Sequence, residues 1–232
     1  MKTKTQLFTM ALALLFFAAC QGGGESNSSA EEKEAESEVK DSKEDSEESG
    51  LSTTYVLDPQ TSQIKWEGTK KFIEFSHKGT IKFKNGKIRV ENGAITDAEF
   101  TVDMTTIDNT DLKGKDGYEK LVGHLKSDDF FYVERFPEAT FELTKIGQSE
   151  ADGFSHTATG NLTIRGNTNE VNFPINIEYD EAKFNANGAM VFDRTKFDVK
   201  YGSDDFFEVV KDKAIKNQVK LTLIIKGAAQ AM

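Results

Sequence analysis

The stretch Phe154-Ser-His-Thr-Ala-Thr-Gly-Asn-Leu-Thr-Ile164 alternates apolar or small residues with polar ones and runs straight into Arg165-Gly166-Asn167. A second alternating run, Val171-Asn-Phe-Pro-Ile-Asn-Ile-Glu-Tyr179, follows at once. Period-two alternation places one set of side chains on each face of an extended strand, and Gly166-Asn167 between the runs is a hairpin signal. The pair reads as two antiparallel strands with one face buried. Working outward, the same texture predicts strands over 63–67, 79–84, 94–104, 139–146, 183–192 and 219–225, with further hairpin signals at Asn85-Gly86, Asn92-Gly93 and Asn187-Gly188. Eight or so strands with few helical segments favour a closed barrel or a sandwich.

One segment breaks the pattern. In 116–126, Tyr118, Leu121, Val122 and Leu125 fall at i, i+3, i+4 and i+7, the spacing of one apolar helical face. Ser127-Asp-Asp-Phe-Phe131 follows, and the same five letters recur as Ser203-Asp-Asp-Phe-Phe207. Serine is a favoured N-cap and aspartates suit a positive helix N-terminus, so each copy predicts a short capped turn with its phenylalanines facing the core.

Strand parity assigns an interior. Ala98, Phe100, Val102 and Met104 share one face, as do Phe154, His156, Ala158, Gly160, Leu162 and Ile164. Phe184, Ala186, Gly188, Met190 and Phe192 form a third row, and Phe173 belongs to a fourth. Ala98, Ala158, Gly160, Ala186 and Gly188 interrupt rows of bulky residues, which either leaves volume for a ligand or fits a tapered, packed core. Pattern alone leaves these two readings open.

The first fifty residues have a different character. Lys2 and Lys4 precede thirteen residues, 7–19, that are apolar apart from Thr9, which suits a signal-peptide core over 1–19 and is short for a bilayer span. Phe17-Ala-Ala-Cys20 resembles a lipobox, in which the cysteine becomes the acylated N-terminus. Cys20 is the single cysteine, so no intramolecular disulfide forms. Residues 21–50 hold no aromatic residue and are strongly acidic, which predicts a solvated tether reaching roughly 100 Å at full extension. Five lysines against eleven acidic residues give residues 1–50 a charge of −6 within a total of −10. The globular region, 51–228, is thus mildly acidic and lacks the basic stripe that nucleic-acid binding needs.

Little points to catalysis. His77, His124 and His156 are scattered without metal-ligand spacing, and 108–119 lacks the inner ligands of a calcium loop. No GxSxG, P-loop or GxGxxG motif is present. Neither a metal site nor a catalytic residue is assigned.

Several fragments together resemble the YceI-like lipid- and polyisoprenoid-binding family. They are Tyr55-Val-Leu-Asp-Pro59 before a strand with Trp66, Gly79-Thr-Ile-Lys-Phe83, Gly123-His-Leu-Lys-Ser-Asp-Asp-Phe-Phe131, Arg135-Phe-Pro137 leading to Phe141, Gly160-Asn-Leu-Thr-Ile-Arg-Gly166, and Asp193-Arg194 with Val199-Lys-Tyr-Gly202. The resemblance implies an extended eight-stranded antiparallel, lipocalin-like barrel with one or two short helices and a tunnel for a polyprenyl or fatty-acyl chain. No cofactor is implied beyond that non-covalent lipid.

On this reading the tunnel is lined by Trp66, Phe83, Ala98, Phe100, Met104, Phe130, Phe131 and Phe141, and by Ala158, Gly160, Leu162, Phe173, Ala186, Met190, Phe192, Phe206 and Phe207. His124, Arg165 and Arg194 are candidates for a head-group contact at the rim, with hydrogen bonds that tie the rim together, or pairing of each arginine with a carboxylate, as the alternative. The chain is then a binding module held to a membrane of the cell envelope through Cys20, at the outer membrane and facing either periplasm or surface. An envelope enzyme acting on such a lipid and a ligand-free tethered interaction domain are the competing readings.

Overall fold

The computed structural model describes residues 51–231, and the expectations for the signal segment, Cys20 and the tether lie outside them. Nine strands form in chain order, β1 (Ser52–Leu57), β2 (Gln63–Lys70), β3 (Ser76–Glu91), β4 (Ala94–Asn109), β5 (Glu138–Gln148), β6 (His156–Ile164), β7 (Asn167–Tyr179), β8 (Lys183–Asp193) and β9 (Ile215–Ala229). Helix α1 (Tyr118–Lys126) lies between β4 and β5, and a 3-10 turn (Arg194–Phe197) follows β8.

Every pairing is antiparallel, and the pairing of β3 with β4 closes the sheet into a barrel. β1 and β2 both pair with β3 and with β9, β1 against 87–91 and 227–229, β2 against 76–81 and 215–224. They therefore lie end to end along one stave. The barrel has eight staves built from nine strands, which removes all long free edges.

Turn chemistry explains two of the hairpins. Asn92 and Gly93 between β3 and β4 have φ of 51° and 75°, and Arg165 and Gly166 between β6 and β7 have 52° and 72°. Two consecutive left-handed residues match the right-handed twist of the flanking strands. The second turn thus falls one residue earlier than Gly166-Asn167.

The other two expected turns do not form. Asn85-Gly86 lies inside β3 and Asn187-Gly188 inside β8, without positive φ at any of the four. A bulge explains the first. Phe83 pairs with Val102 but Asn85 with Thr101, so one extra residue shifts the inward set from Ile81 and Phe83 to Gly86, Ile88 and Val90. Alternation read straight through fails at that step and simulates a strand end.

The two ends of the barrel differ. At the lower end, α1 and the segment 194–214 cover the opening. Leu125 is the buried residue of α1 and Leu121 packs on the core beside it. Ser127 closes this helix rather than opening one, with its hydroxyl donating to the His124 carbonyl at 2.8 Å. At the upper end, Tyr55, Tyr179 and Phe184 cluster, Tyr179 stacking on Phe184 at 6.0 Å between ring centroids.

Candidate functional site

The lumen holds two apolar cavities stacked along the barrel axis. The upper one, about 70 Å³, is lined by Phe83, Ile88, Ile95, Ala98, Phe100, Phe141, Leu143, Ile146, Ala158, Phe173, Ile175, Ile177, Phe184, Ala186, Met190, Leu223 and Ile225. The lower one, about 140 Å³, lies beneath Ile64, Trp66, Ile81, Val102, Met104, Ile107, Ala139, Leu162, Ile164, Phe192, Val219 and Leu221, with Leu125, Phe130 and Phe131 as its floor. Neighbouring inward positions on one strand fall on different sides of the division: Ile81 and Phe83, Val102 and Phe100, Ala139 and Phe141, Phe192 and Met190, Leu221 and Leu223. A layer of Phe83, Phe100, Phe141 and Met190 therefore separates them, with Phe83 and Phe100 5.8 Å apart.

Small inward residues do two different jobs here. Ala98, Ala158 and Ala186 line the upper cavity directly. Gly160 does not: an ideal Cβ there would fall 2.4 Å from Phe141 Cζ, so the ring occupies the space the missing side chain vacates. The same holds for Gly86 beneath Phe100 and for Gly79 beneath Trp66, at 2.4 and 2.5 Å. Trp66 is held in this seat by its indole N–H, which donates to the Asp108 carbonyl at 3.1 Å. Gly160 thus provides a place for a ring rather than open volume, which corrects its assignment as a lining residue.

The expected tunnel residues separate cleanly. Phe83, Ala98, Phe100, Phe141, Ala158, Phe173, Ala186 and Met190 meet at the upper cavity, and Trp66, Met104, Phe130, Phe131, Leu162 and Phe192 at the lower. Phe206 and Phe207 reach neither: they are 49% and 56% exposed. Ser203 is buried and its hydroxyl accepts only the Asp205 N–H, so this copy of the pentapeptide forms an isolated turn without a core to face. In the first copy, α1 holds Phe130 over the barrel mouth instead.

The rim residues are structural. Arg194 is 2% exposed, and its guanidinium donates to four backbone carbonyls: Val199 at 2.7 Å, Tyr201 at 2.9 Å, Lys216 at 3.1 Å and Ile215 at 3.2 Å. Burial pushes its pKa below the usual arginine value, Asp193 opposing this. It fastens the 194–214 segment to the start of β9 and offers only its hydrocarbon stem to the lower cavity, which exposes no polar surface. Arg165 likewise donates to the carbonyls of Phe130 at 2.6 Å and Asp198 at 3.0 Å, tying α1's exit loop to the same segment. The arginines therefore hold backbone carbonyls first, and only Arg165 has a carboxylate, Asp198, within 3.7 Å. His124 stands outside the lumen, its Nε2 3.0 Å from Asp129 and its ring edge-on to Phe130 and Tyr201.

Ile88, Ile95, Ile107, Leu143 and Ile146 line the cavities without having been singled out in the sequence. Bulges in β3, β4 and β5 change the parity next to Ile88, Ile95, Ile107 and Ile146, while Leu143 keeps that of Phe141. The signal that finds the four is a switch of the apolar set between odd and even positions within one long strand.

No His, Cys, Asp or Glu side chain lines either cavity, and no three such groups come together to hold a metal among the described residues. A closed antiparallel barrel around an apolar lumen defines a β-barrel of the kind that encloses hydrophobic ligands. The chain belongs to the YceI-like family, whose domain matches residues 55–226.

Relatives include UPF0312 proteins of Pseudomonas aeruginosa, 33% identical over 120 residues, and of Enterobacter, 29% identical over 119 residues. These alignments cover 47% of this chain, which spans 57% of the relatives' length. Among solved structures, BcnA of Burkholderia cenocepacia superposes with a TM-score of 0.56 at 19% identity, over 73% of this chain and 98% of that one. A polyisoprenoid-binding domain from Saccharophagus degradans gives 0.54 at 13% identity, over 76% and 98%. These likenesses show the fold.

Proposed function

We propose that this protein binds a single-chain lipid, isoprenoid, quinone-like or fatty-acyl, inside the barrel and does no chemistry on it. The observation that carries the reading is the pair of wholly apolar cavities on one axis, divided only by movable side chains. Together they fall short of the roughly 300 Å³ at which pockets for drug-sized ligands begin. A cavity near 150 Å³ accommodates about a benzene ring. A long chain is therefore admitted by rotation of Phe83, Phe100, Phe141 and Met190, which joins the two spaces. Membership of the YceI-like family and the polyisoprenoid-binding description of a structural neighbour support the ligand class. Arg194 and Lys216 border the lower cavity without adding polar surface to it, and among the described residues no other acid, base or nucleophile lines either cavity, which supports binding over catalysis.

Lys2, Lys4, the apolar run 7–19 and Cys20 support an acylated envelope lipoprotein whose acidic tether, 21–50, carries the barrel away from the membrane. Two or more acyl chains on Cys20 make such anchoring stable. Native mass spectrometry of the purified protein, followed by lipid extraction, tests the binding. A co-purified lipid mass is expected, and an empty protein that also fails to retain a fluorescent polyprenol overturns the reading. Radiolabelled palmitate is expected to enter the wild-type chain and not Cys20→Ser.

A further inference from the structure

We propose that the chain of the ligand enters through the side of the barrel, between β4 and β5 at the upper end, and that His156, one strand from this opening on the lumen face, hydrogen-bonds a hydroxyl head. This rests on the reading of the lumen as a lipid site.

The wall is unzipped there. β4 and β5 pair only from Glu99 with Glu142 to Asp103 with Glu138. Above that point 94–98 pair with β3 alone and 143–148 with β6 alone. Ile95, Leu143 and Ile146 flank this seam, line the upper cavity and are only half-buried, whereas Ala186 on the opposite wall and Ile88 on β3 are 1% exposed.

A second seam shows what a closed one looks like. At the lower end, 167–174 of β7 and 189–193 of β8 are likewise unpaired. The 3-10 turn fills that gap. Phe197 and Val199 are 1% and 0% exposed, and Asn169 Nδ2 donates to the Lys196 carbonyl at 3.0 Å. Among the described residues no such insert lies over the β4–β5 seam. The axial route at the upper end is strapped, because the Tyr179 hydroxyl donates to the Gly93 carbonyl at 2.9 Å and the Tyr55 hydroxyl to the Asp180 carbonyl at 2.5 Å. The lateral gap avoids both of these straps.

His156 lies one strand away, on β6, opposite Gln148 of β5. It pairs with Ile175, a lining residue, so both side chains share the lumen face, one pair beyond Ala158 and Ile146. The Ser155 hydroxyl lies 2.8 Å from His156 Nδ1 and 3.3 Å from the Ile175 carbonyl and can donate its hydrogen to either. The tautomer of the ring follows that choice, so Nε2 is an acceptor in one form and a donor in the other. Among the described residues Nε2 has no hydrogen-bond partner. A hydroxyl both donates and accepts, so a long-chain alcohol can meet Nε2 in either tautomer.

The test measures uptake by the full-length chain of three probes of equal length: a fluorescent polyene alcohol, its methyl ether and the parent hydrocarbon. Ile95→Trp and Ile146→Trp are expected to slow association of all three about tenfold with little change in the melt, and Ile146→Ala to speed it. His156→Leu is expected to weaken the alcohol about fivefold, the worth of one neutral hydrogen bond, and to leave the hydrocarbon unchanged, with the ether following the alcohol where Nε2 carries the ring proton and the hydrocarbon where Nδ1 does. Unchanged association in both tryptophan variants overturns the portal, and equal losses for all three probes in His156→Leu overturn the head contact. A wild-type chain that takes up none of the probes overturns the lipid reading itself.

Discussion

The ring of Phe141 lies against the barrel wall in the space that a side chain at Gly160 would fill, 2.4 Å from an ideal Cβ at that position, with the Glu142 carbonyl oxygen equally near. The glycine is what lets the ring fold back beside the lumen. Gly160→Ala forces both ring and backbone to move, an overpacking that costs about 1 to 3 kcal/mol. We expect a lower Tm and weaker retention of a polyprenyl probe. Gly160→Ala combined with Phe141→Leu recovers the part of the loss due to the ring, and the carbonyl contact remains. A double-mutant cycle by thermal and urea melts gives the coupling.

Ala158 and Ala186 behave differently because they border open space. Ala158→Leu and Ala186→Leu place new methyl groups in the upper cavity. Probe binding is expected to fall while Tm holds or rises. Destabilisation by about 1 to 3 kcal/mol with unchanged binding is the signature of a packed core instead and contradicts a ligand site there.

Arg194 carries the lower cap rather than a ligand head. Arg194→Met leaves four backbone carbonyls without their charged donor, and hydrogen bonds to charged groups contribute about 1.5 to 3 kcal/mol each. A loss of several kcal/mol is expected in urea unfolding. Arg194→Lys recovers little, since an ammonium lacks the planar fork that reaches carbonyls on two segments. Whatever binding remains is expected to weaken equally for probes with and without a polar head.

Acid is expected to loosen the attachment of α1. Asp108 accepts a hydrogen bond from the Tyr118 hydroxyl at the start of that helix, and this bond, with a further one from Lys113, holds its carboxyl below the usual range despite some burial. A folded-state pKa depressed in this way stabilises the fold above the unfolded value, about 3.9, and the contribution is lost as pH falls through the folded one. Stability is therefore expected to decline from about pH 4 downward. Asp108→Asn flattens that part of the profile, as read from Tm against pH.

The strand pattern from Phe154 to Tyr179, the turn at Asn92-Gly93 and the helical spacing from Tyr118 to Leu125 were legible in the sequence because each depends on chain-local geometry: a period of two, a pair of left-handed residues, a period of 3.6. Most of the inward rows followed from the same parity. Three things depended on the closed barrel. Bulges in β3, β4 and β5 reverse parity within a strand, so Ile88, Ile107 and Ile146 turn inward where straight alternation points them out. Whether a small residue leaves space or seats a ring is set by a neighbour on another strand, as Phe141 does over Gly160 and Trp66 over Gly79. Two identical pentapeptides part company because α1 lays Phe130 over the barrel mouth, while Phe206 and Phe207 project from a loop that has no core beneath it. Local sequence sets which faces a segment has, and only the barrel's closure brings distant strands close enough to decide what each face meets.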